Sequence, residues 1–210
     1  MGDAPASFRT ALARLGETWA VGCDELQSEA LARFGTLLLT WNAHINLTGA
    51  SSLDDLADEH LPDSFALASR FADGAPGRAI DVGSGGGLPA LPLALLRPAL
   101  TLRLVEPIAK KAAFLRTATR ELGLRDRVTV HVGRAEALGP GDFDAALSRA
   151  TFAPELWASI GAPLVRPGGR VFLLAATAAG DIATPPSLLE TFRRSYLGER
   201  RALVELARVT

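Results

Sequence analysis

The 210-residue chain carries 22 Lys and Arg against 23 Asp and Glu, a formal net charge of -1, with 48% hydrophobic residues, a mean hydropathy of +0.19 and one cysteine. These values fit one large core or a core with a small appendage; they exclude an internal disulfide framework and point to a reducing compartment. No run of 18 uncharged apolar residues suggests a membrane span, and Met1–Pro5 lacks the basic and apolar regions of a secretory signal, so a cytoplasmic protein is expected.

Charge is distributed unevenly. Residues 1–64 hold 3 basic and 10 acidic side chains, residues 65–210 hold 19 and 13, and the stretch from Arg97 to Arg134 holds 9 and 3. A positive field of that kind suits a phosphate backbone, although a solvated charged face has the same composition.

In chain order, Phe8, Leu12, Leu15 and Trp19 recur at helical spacing and predict a helix over 7–20. Asp24 with Gln27 reads as a capping box opening a second helix, whose apolar face is Leu26, Ala30, Phe34, Leu37, Leu38 and Trp41. Asn42 to Gly49 then breaks the periodicity as a polar loop, either a satisfied connection or a wall over a ligand. One or two helical turns over 53–58 and a helix through His60, Phe65, Leu67, Ala68 and Phe71 follow. His44, His60 and His131 are scattered without ligand spacing, so no metal site is expected.

A first strand over 79–82 ends at Asp81 and Val82 and runs into Gly83-Ser84-Gly85-Gly86-Gly87-Leu88-Pro89. A dinucleotide fingerprint requires a third glycine at 88, where this chain has leucine. Gly-x-Gly-x-Gly after an acidic strand end is instead the form used for the methyl donor S-adenosylmethionine. Pro89 and Pro92 suit the first turn of the next helix, which ends at Arg97-Pro98. The second strand, 102–105, ends at Glu106, 23 residues after Gly83 and near the offset at which an acid takes ribose hydroxyls.

Lys110, Lys111, Arg116 and Arg120 line the next helix, with Ala113, Phe114 and Ala118 as its apolar face and Gly123 as its stop. A third strand over 128–132 leads to Gly133-Arg134-Ala135-Glu136, placed to border an adenine. A fourth over 143–147 leads to Ser148-Arg149-Ala150, where Arg149 enters the crevice between first and fourth strands. A helix over 154–164, a fifth strand over 170–175, a short helix capped by Ser187 through Glu190, and a terminal hairpin of 192–197 and 201–209 complete the expectation.

These residues resemble one family, the bacterial small-subunit ribosomal RNA methyltransferase G family, also called glucose-inhibited division protein B. The matching elements are Trp41-Asn42-x-x-Ile45-Asn46-Leu47-Thr48, His60-x-x-Asp63-Ser64, Asp81-Val82-Gly83-x-Gly85-x-Gly87-Leu88-Pro89, Lys110-Lys111-x-x-Phe114-Leu115, Ser148-Arg149-Ala150 and Gly198-Glu199-Arg200. The resemblance implies an α/β fold, a Rossmann-like class I S-adenosylmethionine-dependent methyltransferase with a mostly parallel seven-stranded sheet and a terminal antiparallel hairpin. It divides the chain into a helical N-terminal extension, 1–64, and a methyltransferase domain, 65–210.

The implied activity is methyl transfer from S-adenosylmethionine to N7 of a guanine in the 530 loop of 16S rRNA, in a 30S particle or assembly intermediate, by a monomer. Cofactor contacts implied by resemblance are Asp81, Gly83, Ser84, Gly85, Gly87, Leu88, Glu106, Pro107, Arg134, Ala135, Glu136 and Arg149. Substrate contacts are Asn42, Asn46, Thr48, Lys110, Lys111, Arg149, Arg200 and Arg201, with Arg149 and Asn46 in catalytic positions. The chain departs from the family pattern at Glu59, Glu106, Ala175-Ala176 and Arg201.

Guanine N7 has an unprotonated lone pair, so no general base is required. Arg149 is therefore assigned to guanine O6, a phosphate or a structural carboxylate, with Asp81 and Asp144 as its candidate structural partners. A small-molecule methyltransferase and a non-catalytic donor-binding RNA protein are the two other readings of the same core.

Overall fold

In the computed structural model, which describes residues 4–176 and 182–209, two long helices come first: α1 (Ala6–Trp19) and α2 (Glu25–Asn42). Phe8, Leu12, Leu15 and Trp19 are buried along α1, as their spacing requires. The capping box of α2 is closed on both sides: Asp24 Oδ1 accepts from Gln27 N at 2.8 Å and Gln27 Oε1 accepts from Asp24 N at 3.0 Å. The buried stripe of α2 is Ala30, Leu31, Phe34 and Leu38, whereas Leu26, one turn before the packed surface, is 76% exposed. Two short helices, α3 (Leu53–Glu59) and α4 (Leu61–Ala68), meet at His60.

Seven strands follow: β1 (Gly77–Val82), β2 (Leu100–Glu106), β3 (Val128–Val132), β4 (Phe143–Arg149), β5 (Val165–Ala176), β6 (Leu188–Tyr196) and β7 (Arg201–Arg208). They form one sheet in the order β3-β2-β1-β4-β5-β7-β6, parallel through β5, with β7 antiparallel to both β5 and β6. After β1 the chain moves outward through β2 and β3, then returns to the other side of β1 for β4. That reversal opens a crevice beyond the carboxyl ends of β1 and β4, where doubly wound sheets bind ligands.

Helices α5 (Ala90–Leu96) and α6 (Ala109–Glu121) join α1–α4 on one face, and α7 (Pro154–Gly161) packs on the other. The first core is continuous from Phe8 through Phe65, Leu104 and Phe114 to Leu203, and residue 64 lies within α4. The second holds Ile80, Val105, Ala146, Trp157, Val171 and Leu206.

Four local expectations change. Residues 188–190 belong to β6 in place of a helix capped by Ser187, because Leu188, Leu189 and Glu190 pair with Arg208, Ala207 and Leu206, and the Ser187 carbonyl accepts from Val209 N at 2.9 Å. β5 starts at Val165, five residues early, through a register shift between the Phe143–Val165 and Ala145–Arg170 pairs. The inner face of α6 is Ala112, Phe114, Leu115 and Ala118, with Ala113 exposed. Pro89 caps α5 from outside its first turn, and its carbonyl accepts from Ser64 Oγ at 3.1 Å.

Candidate active site

The glycine loop bridges β1 and α5 with Gly83, Gly85 and Gly87 at φ of 79°, 52° and 75°, a region that favours glycine over residues with a Cβ. Gly83 N and Ser84 N both donate to the Val105 carbonyl, at 2.9 and 3.1 Å, so the loop is tied to the end of β2. Close approach is a second requirement for glycine. A Cβ on Gly83 would stand 2.3 Å from Thr151 Oγ1, and one on Gly86 would stand 2.8 Å from the Leu47 carbonyl. Gly86 is therefore where the N-terminal polar loop seats on the glycine loop.

Two carboxylates flank this bend. Asp81 is 1% exposed and its Oδ2 has no hydrogen-bond partner among the described residues, while burial pushes its carboxyl up to about 7. A buried polar atom without a partner is costly and marks a position where a donor is missing. Glu106 is also buried, but both its oxygens are engaged: Oε2 accepts from Gly85 N and Oε1 from Ile108 N, each at 2.8 Å. Each oxygen has a further lone pair for a ligand hydroxyl. Beside them lies a pocket of about 460 Å³ whose walls include Gly83, Val105, Pro107, Arg134, Ala135 and Phe152.

A buried ionic cluster stands at the end of β4. Asp63, fully buried, accepts at Oδ2 from Arg149 Nη1 and from Arg201 Nη1, both at 3.0 Å, and at Oδ1 from the Tyr196 hydroxyl at 2.6 Å. Arg149 Nη1 also lies 3.3 Å from His60 Nδ1, and His60 Nε2 lies 3.4 Å from Thr48 Oγ1. Burial, reinforced by Arg149 and Arg201, holds the His60 imidazole below its ordinary pKa. Facing a guanidinium, a neutral ring accepts at Nδ1 and donates from Nε2 to Thr48, a tautomer assigned from the network. Burial, followed by the Asp63 charge, pushes the Tyr196 hydroxyl up and keeps it a donor. The cluster ties together α4, β4, the β6–β7 hairpin and the Asn42–Thr48 loop.

The structural carboxylate of Arg149 is thus Asp63, in place of Asp81 or Asp144. Asp144 lies at the opposite end of β4, accepting from Arg78 N at 2.7 Å and Arg166 Nε at 2.7 Å. Arg149 and Arg201 border a second pocket of about 460 Å³, together with Thr151, Phe152, Trp157 and Leu174. Arg200 lies outside this cluster, bound through both terminal nitrogens to Glu59 at 3.0 and 2.9 Å.

The remaining candidates separate by environment. Asn42 is consumed by its own loop: Oδ1 accepts from Leu47 N at 2.8 Å and Thr48 N at 3.0 Å, and Nδ2 donates to the Thr48 carbonyl at 3.0 Å. Its side chain thereby holds the turn that follows α2 in shape. Asn46 is exposed on the same loop, and Thr48 Oγ1 accepts from Ala50 N at 3.2 Å. The side chains of Ser84 and Leu88 are withdrawn from the ligand side, Ser84 donating to the Asp81 carbonyl and Leu88 packing in the core. Glu136 lies in a one-turn 3₁₀ helix, Ala135–Ala137, and its side chain lies outside the described set. Lys110 is exposed and Lys111 half-buried at the start of α6.

Two arginines of the basic stretch serve the fold. Arg97, 6% exposed, donates to the carbonyls of Ala68, Phe71 and Leu96, and Arg127 donates to those of Ala94 and Leu100. Among side chains the sequence did not single out, Tyr196, Thr151 and Phe152 line or support the site; a solitary tyrosine and a Thr-Phe pair after a strand carry no local signal.

The chain matches the family model described as rRNA small subunit methyltransferase G (GidB) over residues 27–186. It is 38% identical over 175 residues to a Roseiflexus castenholzii protein named ribosomal RNA small subunit methyltransferase G, covering 81% of this chain and 74% of that one. The Deinococcus radiodurans protein of the same name is 35% identical over 209 residues, covering 88% and 81%. Among solved structures, the O-methyltransferase NcsB1 of neocarzinostatin biosynthesis, in complex with S-adenosylmethionine, superposes with a TM-score of 0.57 at 18% identity, over 99% of this chain and 70% of that one. The Streptomyces coelicolor geranyl diphosphate C-methyltransferase gives 0.55 at 13% identity, over 70% and 78%. At such identities these two likenesses speak for the fold.

Proposed function

The chain belongs to the rRNA small subunit methyltransferase G family of S-adenosylmethionine-dependent enzymes, and from that membership we propose that it methylates N7 of a guanine in the 530 loop of 16S rRNA. We place the reaction in the cytoplasm, on a 30S particle or its assembly intermediate, with the enzyme acting as a monomer. No helix among the described residues is long and apolar enough to cross a membrane.

The observation that carries the reading is the buried, unpartnered Oδ2 of Asp81 beneath a side-chain-poor bend. A cationic amine is the donor that such an oxygen lacks, and S-adenosylmethionine has one on its methionyl part. Asp81 and the backbone of Gly83–Gly87 would hold that part, the free lone pairs of Glu106 the ribose hydroxyls, and Pro107, Arg134, Ala135 and Glu136 the adenine. Ser84 and Leu88 support the bend from behind. When bound, the cofactor supplies an electrophilic methyl group on a sulfonium.

The protein's own part is placement. Guanine N7 offers a lone pair without a proton to remove, so no side chain acts as a base. Bringing the reacting atoms within ~3–3.5 Å and restricting their motion contributes roughly 7–11 kcal/mol in favourable systems. Arg149, anchored on Asp63, would donate to O6 or a phosphate of the target nucleotide, leaving N7 free. Asn46 would reach the base from its exposed loop, Arg201 would share the phosphate, and Asn42 and Thr48 would act by holding that loop on Gly86. Lys110, Lys111 and Arg200 would take phosphates further out, positioning RNA without reading its sequence. Because the donor is recessed, the guanine must leave its stack to reach it.

The test is to incubate the protein with labelled methyl donor and 30S particles lacking the modification, then map the labelled base by mass spectrometry. Label at N7 of a 530-loop guanine is the expected result. Label on free guanine nucleosides with none in the particle would make it a small-molecule enzyme, and binding to donor and particle without label would make it a non-catalytic module.

A further inference from the structure

Thr151 and Phe152 are the two described residues that border both the pocket beside the glycine loop and the pocket beside Arg149. A base held beside Arg149 and a donor held in the first pocket would meet at this seam. Thr151 is committed there: its single hydroxyl proton lies between the Arg149 carbonyl, 3.1 Å from Oγ1, and the Gly83 carbonyl, 3.4 Å away. Phe152 offers only a ring, and it is half-buried.

That ring is rigidly backed. It stacks on Trp157 with centroids 5.8 Å apart and planes inclined by 12°. Trp157 is itself 2% exposed and its Nε1 donates to the Phe172 carbonyl at 2.8 Å, which fixes the indole against β5. An aromatic ring held by a second, hydrogen-bonded ring at the junction of two pockets has little freedom to lose when a flat ligand packs on it. Extruded bases are held by such rings, and base–aromatic stacking contributes roughly 1–3 kcal/mol.

We propose that Phe152 is the stacking platform for the target guanine, holding the extruded purine at the seam between the donor pocket and the Arg149–Arg201 pocket. This rests on the methyl-transfer reading above. Phe152 is then a substrate-positioning residue, and its ring, not its bulk, is what the reaction uses.

The experiment compares Phe152→Leu, which keeps apolar volume without a ring, with Phe152→Tyr, which restores one, in 30S methylation kinetics and in calorimetric titration with S-adenosylmethionine. Phe152→Leu is expected to raise the KM for the particle about 5- to 150-fold while the donor Kd shifts far less, because the ring touches the donor pocket only at its edge, and Phe152→Tyr to restore KM. If Phe152→Leu does not fold, Phe152→Met gives the same contrast against Phe152→Tyr. A normal KM without the ring overturns the proposal. So does a loss of donor affinity as large as the rise in KM, which makes the ring a contact of the donor in place of the base, or a failure of Phe152→Tyr to rescue. Absence of labelling by the unsubstituted protein would overturn the parent reading and this inference with it; labelling by that protein with an unaffected Phe152→Leu overturns this inference alone.

Discussion

Arg149 Nη1 donates to Asp63 Oδ2 over 3.0 Å and so joins the end of β4 to α4 across 86 positions of sequence. The same oxygen accepts from Arg201, and the other from Tyr196. One buried negative charge therefore holds two guanidiniums, both of which border the second pocket. Removing the charge from a buried pair is costly because the partners remain. Asp63→Asn is expected to lower unfolding free energy by about 3–5 kcal/mol, read from denaturant titration. Arg149→Ala leaves Asp63 with Arg201 and Tyr196, so folding should largely survive. Methyl transfer should fall far more than donor affinity, since Arg149 bonds Asp63 and not the carboxylate under the glycine loop; equal losses in calorimetry and in kinetics would move Arg149 into the donor site.

Asp81 and His60 act on stability with opposite signs: the lowered His60 adds stability as pH rises towards its ordinary range, and the raised Asp81 removes it. The folded Asp81 carboxyl titrates at about 7, above the ordinary value of about 3.9, because burial disfavours the charge. The folded chain therefore holds that proton more tightly than the unfolded one, and the Asp81 contribution to stability falls as pH rises from about 4 towards 7. Over that interval donor-free protein should lose stability on the order of a few kcal/mol relative to Asp81→Asn, a substitution that should also abolish tight donor binding. A cationic amine requires the ionised carboxylate, so the wild-type donor Kd should tighten between pH 5.5 and 7.5. A stability difference between wild type and Asp81→Asn that does not change with pH, together with a flat Kd, would assign the titration elsewhere.

The contrast between Asp81 and Asp63 says how much was legible in the sequence. Asp81, Gly83, Gly85, Gly87 and Glu106 lie at strand ends with short, characteristic offsets, so one strand–loop–helix pattern locates them together. Asp63 finds Arg149, Tyr196 and Arg201 at separations of 86, 133 and 138 residues, which no local spacing encodes. The His-x-x-Asp motif named the right aspartate without naming its partners. Asn42 is recognisable as the point where the helical periodicity breaks, and it is the last residue of α2, but whether its amide faces ligand or backbone depends on a turn whose path is set by the Leu47 carbonyl against Gly86. The basic stretch stays ambiguous in sequence for the same reason: Arg97 and Arg127 look like their neighbours until burial turns them towards carbonyls.

Gly86 supplies a test of that loop. A Cβ there would meet the Leu47 carbonyl at 2.8 Å and Leu38 Cδ1 at 3.1 Å, and a main-chain oxygen cannot swing aside alone. Gly86→Ala should cost about 1–3 kcal/mol and lift residues 42–48 from the glycine loop. The Leu47 and Thr48 amides, which donate to Asn42 Oδ1, should then lose hydrogen-exchange protection, as they should in Asn42→Ala. Both variants should slow methyl transfer. Protected amides in Gly86→Ala would mean that the loop is held by other contacts.

Surface and buried cations of the same stretch should differ in salt dependence. Each phosphate neutralised by Lys or Arg releases counterions, so removing one contact lowers the slope of log K against log salt by about 0.7–0.9. Lys110 is exposed and Lys111 half-buried at the head of α6, and Lys110→Ala and Lys111→Ala should each flatten the slope for particle binding with little change in stability. Arg97 is 6% exposed with its guanidinium on three carbonyls, so Arg97→Gln should destabilise by about 1–3 kcal/mol and leave the slope as it was. Filter binding across a salt series, paired with urea unfolding of each variant, separates the two behaviours. A flattened slope in Arg97→Gln, or none in the lysine variants, would place the RNA track on another face of the sheet.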